Sequence, residues 1–159
     1  SLGCLYAAVG ILFAAQDLTN GFPALLKLLK LAAPLTALLL AVTGIRMWKG
    51  KSPVPGTWAV ACCVLVLRLV AAYQTWSREP QMMDYLFSLL GSLCLTGYAY
   101  HRAAKEAGAA EKSCWLFRLG LLAGFFCLTA GTGRVPLPFY TVMACGVMLE
   151  VLSGEEAPC

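Results

Sequence analysis

The sequence predicts an all-α integral membrane protein, a bundle of six transmembrane helices, and three observations carry that prediction. Of its 159 residues 60% are hydrophobic and 13% charged, where an ordinary soluble domain carries roughly 25% charged residues. The charges also cluster, leaving charge-free runs at 31–45, 52–67, 85–100, 119–133 and 135–149. The tryptophans at 48, 58, 76 and 115 fall at the ends of the spans that these runs define, where an aromatic belt meets the membrane interface. A closed β-barrel would alternate apolar and polar residues over segments of about ten, and no such alternation is present.

Span one is Leu2 to Leu18. Ser1 opens directly onto an apolar segment, so this span is expected to lack its N-terminal end. Gly10 and Ala14 form a small-xxx-small pair that lets another backbone approach. The turn Thr19-Asn20-Gly21 leads into span two, Phe22 to Ile45, with Pro23 in a helical first turn that tolerates it. Lys27 and Lys30 share one face of this span, and either snorkel toward headgroups or line a cavity open to that side. Pro34 predicts a kink.

A basic turn follows, with Arg46, Lys49, Lys51, Pro53, Pro55 and Gly56. Span three is Thr57 to Trp76, twenty residues whose only formal charge is Arg68. Twenty helical residues cover about 30 Å, the thickness of bilayer hydrocarbon, which puts Arg68 near the midplane. Span four runs from Asp84, a good capping residue, to His101. The stretch HRAAKEAGAAEKS, rich in helix formers, predicts a short solvated helical extension. Span five, Cys114 to Thr132, carries Gly120 and Gly124 in a GxxxG arrangement. Span six, Leu137 to Leu152, carries Glu150 in its last turn. The chain thus divides into three successive helical hairpins within one transmembrane domain.

Six spans place both termini on one side with the loops at 46–56 and 102–114. That side collects Arg46, Lys49, Lys51, Arg102, Lys105, Lys112 and Arg118, against Lys27, Lys30, Arg78 and Arg134 on the other. The positive-inside rule therefore predicts cytoplasmic termini. Compactness and short loops point to a cell membrane of the bacterial inner-membrane kind.

Arg68 is the residue around which chemistry is expected. A charge at mid-bilayer costs on the order of 3 kcal/mol by insertion scales, so it turns to protein, water or ligand. One reading is a structural ion pair between Arg68 and Glu150, the only acidic residue well inside another span. The other makes Arg68 a ligand-binding group for an anion, with Tyr73 and Gln74 above it and Lys27 and Lys30 across a cavity, since guanidinium offers a planar fork to carboxylate or phosphate.

Other constellations are missing. Eight cysteines include no CxxC pair, and His101 is the only histidine, so no metal or other cofactor is expected. Cys4, Cys62, Cys63, Cys94, Cys127 and Cys145 read as packing residues, while Cys114 and Cys159 lie near an interface. No HExxH, GxSxG or intramembrane aspartate pair is present, so an enzyme is not expected. Nor does any basic run interleaved with aromatics suggest nucleic acid.

The function expected from these residues is a small transporter or membrane-embedded solute-binding subunit for an anionic or polar small molecule. The alternative is a non-catalytic interaction protein that assembles with a membrane-protein partner or with copies of itself. In either case the lipid bilayer is the first partner.

Overall fold

The computed structural model describes residues 2–16, 23–54, 56–76, 85–109, 113–132 and 138–153. Among them are six helices: α1 (Leu2–Gln16), α2 (Pro23–Trp48), α3 (Thr57–Trp76), α4 (Leu86–Glu106), α5 (Ser113–Gly131) and α6 (Pro138–Leu152). The loop-side features expected at Asp84, Arg78, Arg134 and Lys112, and Cys159 in the tail, lie outside the described residues. Each helix packs against its neighbours in sequence, and α6 lies against α1, which closes the six into a ring.

The direction of each pairing follows from the side chains that meet. Thr43 near the end of α2 touches Thr57 at the start of α3, and Trp58 at the start of α3 stacks edge-on to Tyr98 late in α4. Cys4 early in α1 reaches Glu150 late in α6. All these contacts are antiparallel. They gather the ends of α2, α4 and α6 and the starts of α1 and α3 at one end of the bundle.

Three segments, Lys27–Trp48, Thr57–Gln74 and Cys114–Gly131, are long and apolar enough to cross a membrane; Leu2–Phe13 and Pro138–Leu152 are shorter apolar helices. How the surfaces are distributed supports the same environment. In α2 the exposed stripe is Leu28, Leu31, Leu35, Leu38, Val42 and Ile45, while the buried face is Leu29, Ala33, Thr36, Ala37, Leu40 and Thr43. Large apolar side chains point outward, and small and hydroxyl-bearing ones point inward. That is the reverse of a soluble helix, whose apolar stripe faces the core. Buried hydroxyls return their protons to the helix backbone: Thr36 to Ala33 O at 2.8 Å and Ser92 to Ser88 O at 2.8 Å. Helix α2 continues through Pro34 as one element.

Two helices end in the same way. Gly50, with φ 69°, and Gly108, with φ 82°, follow α2 and α4 in the left-handed conformation. Gly50 N–H bonds Met47 O and Lys51 N–H bonds Arg46 O, each at 3.0 Å; Gly108 N–H bonds Lys105 O at 3.1 Å and Ala109 N–H bonds Ala104 O at 3.0 Å. These are paired Schellman-type bonds, and glycine is the residue that adopts this φ without penalty. Helix α4 therefore takes in the first part of the helical extension expected after His101, because RAAKE favours helix and Gly108 stops it.

Helix α6 is packed more closely than side chains elsewhere allow. A Cβ on Gly146 would stand 3.1 Å from Ala7 N and 3.2 Å from Gly3 O. On the other flank Gly124 lies against Met148 and Gly120 against Val151. The GxxxG pair of α5 thus faces α6 of its own chain.

Candidate functional site

Among the described residues the buried charged side chains are Arg68 and Glu150, and their positions follow from the helix registers. The first centre surrounds Arg68, which is 2% exposed. Its guanidinium carbon lies 3.7 Å from the centre of the Phe139 ring and 5.5 Å from that of Tyr140, both in the first turn of α6. A guanidinium over an aromatic face is held by the ring quadrupole, more strongly where water is excluded. The Tyr140 hydroxyl meets Ser92 Oγ at 2.7 Å. Because Ser92 gives its proton to Ser88 O, the tyrosine is the donor in that bond.

The second centre is the Glu150 carboxylate, 4% exposed. Its Oε1 accepts the Cys4 thiol at 3.2 Å, and its Oε2 accepts the Tyr98 hydroxyl at 3.1 Å. The Arg102 Nη2 stands 3.8 Å from Oε1, with side-chain exposures of 11% for Arg102 and 3% for Glu150. Helix α1 gives up side-chain bulk to admit the acid: a Cβ at Gly3 would fall 2.6 Å from Glu150 Cγ.

Beyond Arg102 lies a cavity of about 180 Å³ lined by Met47, Pro53, Arg102, Lys105 and Glu106. The glycine-stopped ends of α2 and α4 place these residues. The Arg46 Nε donates to Ser52 O at 3.3 Å, which shapes the intervening turn. Tyr98, Arg102 and Glu106 follow one another at four-residue spacing, so one face of α4 carries the polar line from Glu150 out to the cavity. Glu106 lies beyond the apolar part of α4. Burial pushes its carboxyl above the ordinary carboxylate range, while the Arg102 guanidinium and the Trp58 backbone N–H pull the other way.

No family model, curated protein or solved structure matches this chain. The residues themselves therefore carry the functional argument.

Arg68 is buried, Gln74 is half-buried, and Tyr73, Lys27 and Lys30 are exposed on the outer surface. Phe139 and Glu150 stand near opposite ends of α6, about 16 Å apart by helix rise. The Arg68 guanidinium lies at the Phe139 end, and the cation that reaches Glu150 is Arg102. Cys114 is disulfide-bonded. Cys4, Tyr98, Arg102 and Glu106 were not anticipated as site residues. The signal for the last three was their four-residue spacing, legible once α4 is drawn through Glu106.

Proposed function

We propose that the chain is a six-span membrane bundle that binds a small anionic or polar solute, as a transporter or as the membrane-embedded solute-binding subunit of one. The single observation that carries this reading is the cavity at the shared ends of α2 and α4, where Arg102 and Lys105 flank a space of about 180 Å³. Behind it, Arg102 connects to the buried Glu150 carboxylate. A site open to water at one end and wired to an ionised pair inside the bundle is suited to admitting a charged solute and registering its arrival. Both Arg102 and Lys105 belong to the side that the positive-inside rule assigns to the cytoplasm.

Gly120, Gly124 and Gly146 meet α6 and α1 of their own chain, so these packing motifs do not by themselves favour the assembly reading. Small residues spent on internal packing offer nothing to a partner helix.

The reading is tested by thermal unfolding of the detergent-purified protein with phosphate and with succinate, in parallel with Lys105→Gln. Lys105 is exposed, so this variant is expected to fold normally. A ligand that binds only the folded state adds about 2.7 kcal/mol of stability at a hundred times its dissociation constant. Stabilisation of the wild type by either anion that weakens in Lys105→Gln is the expected result; no response from the wild type to either anion, nor to L-alanine as a polar solute, defeats the reading. The six-span arrangement is checked separately with Ser52→Cys and Ala109→Cys, which are expected to take a membrane-impermeant thiol reagent from the same side.

A further inference from the structure

The cavity beside Arg102 carries charges of both signs, and this deepens the reading just given by narrowing the class of solute. Two cations, Arg102 and Lys105, line it together with the carboxylate of Glu106. Among the described residues, Glu106 Oε2 is buried without a hydrogen-bond partner. A buried acceptor left unmade is costly, so such an atom marks a place where a donor is expected.

A simple anion suits Arg102 and Lys105 but stands next to the Glu106 carboxylate and leaves Oε2 unsatisfied. A simple ammonium satisfies Oε2 but faces two cations. A molecule that carries an anionic group and an N–H-bearing ammonium a few atoms apart meets all three side chains at once. We infer that the cavity is a site for a small zwitterion, whose ammonium donates to Glu106 Oε2 while its carboxylate or phosphate accepts from Arg102 and Lys105. Met47 and Pro53 offer apolar contact to the carbon between the two groups. The volume agrees: about 180 Å³ is well above the roughly 10–15 Å³ that a single water needs in the same measure, and leaves room for a molecule of the size of a small α-amino acid. The same chemistry occurs in a free amino acid and in the ethanolamine-phosphate headgroup of a lipid.

The inference rests on the solute-site reading, and calorimetric titration of the purified protein near neutral pH separates the two. The probes are L-alanine, glycine betaine, acetate, phosphoethanolamine and phosphocholine. Betaine and phosphocholine have the charge pattern but no N–H to donate. L-alanine binding at least tenfold tighter than betaine and acetate supports the inference with a free amino acid as source. Phosphoethanolamine binding at least tenfold tighter than phosphocholine, and tighter than alanine, supports it with a lipid headgroup as source. In either case Glu106→Gln should bring the preferred probe down to the level of its N–H-free counterpart, and Lys105→Gln should weaken all anion-bearing probes. If acetate binds as well as alanine and Glu106→Gln changes neither, the zwitterion is overturned while an anion site stands. If the wild type binds none of the probes, both are overturned.

Discussion

The two buried centres solve the same problem in opposite ways. Arg68 is a cation wrapped in aromatic faces at one end of α6, with Phe139 3.7 Å away. Glu150 is an anion at the other end, met by a thiol, a hydroxyl and a guanidinium from two other helices. The arginine's environment comes largely from neighbours that pack anyway, since Phe139 and Tyr140 are among the largest fully buried side chains. The carboxylate's environment is assembled for it, from Gly3 making room to Arg102 reaching in. The second centre borders a cavity through Arg102. The Arg68 centre is enclosed, whereas Arg102 runs from Glu150 to the wall of the cavity.

The largest expected effect follows from removing that carboxylate. Glu150→Ala removes the carboxylate that Arg102 approaches at 3.8 Å and to which Tyr98 and Cys4 donate. Removing one partner of a buried ion pair costs about 3 to 5 kcal/mol, and the partial exposure of Arg102 puts the expectation at the lower end. Thermal unfolding in detergent measures it, and a loss under 1 kcal/mol would show that the Glu150 centre carries little of the fold. Tyr98→Phe comes next. A hydrogen bond to a charged group contributes about 1.5 to 3 kcal/mol, and the Trp58 ring contact is kept, so the loss should fall in that range. A variant as stable as the wild type would mean that the hydroxyl bond to Glu150 is replaced by water.

Much of the helical organisation was legible because it rests on spacing of charges and length of apolar runs. Thr57 and Trp76 bound α3 as expected, and the inward face of small residues was signalled by Gly10, Gly120 and Gly124. What the sequence could not supply was the direction in which long side chains turn. Arg68 and Glu150 are close enough in depth for two flexible side chains to bridge, yet the guanidinium goes to the aromatic end of α6, where α3 and α6 face across the ring. Ending span four at His101 leaves Arg102 in a solvated helical extension, outside the bundle. The capping bonds of Gly108 correct this: they extend the helix by a turn, and that turn brings Arg102 to Glu150 and Glu106 to the cavity.

A smaller effect probes the Arg68 centre. Phe139→Leu keeps an apolar side chain beneath the guanidinium but removes the ring face. A desolvated cation–π contact contributes up to about 2 kcal/mol and an exposed one about 0.5 to 1 kcal/mol, so a loss of about 1 to 2 kcal/mol is expected. It should also be smaller than that of Glu150→Ala. If the order is reversed, the aromatic centre is the more important link and the contrast between the two ends must be redrawn.

The smallest effect is one of pH, and it isolates the cavity from the buried pair. Burial raises the Glu106 carboxyl above its ordinary value of 4.5, with Arg102 and the Trp58 N–H opposing. The folded state therefore holds this proton more tightly than the unfolded chain does. By linkage, stability falls as pH rises from about the unfolded value through the raised folded one, and is flat on either side of that window. Glu106→Gln, which has no proton to lose, should lack this downward step, so its unfolding temperature should gain on the wild type as pH rises from 4.5. Parallel profiles would mean that the Glu106 carboxyl is as well solvated in the fold as in the unfolded chain. In that event the cavity wall it forms is open to water, and the distinction between an enclosed Arg68 and a responsive Arg102 would rest on the Glu150 pair alone.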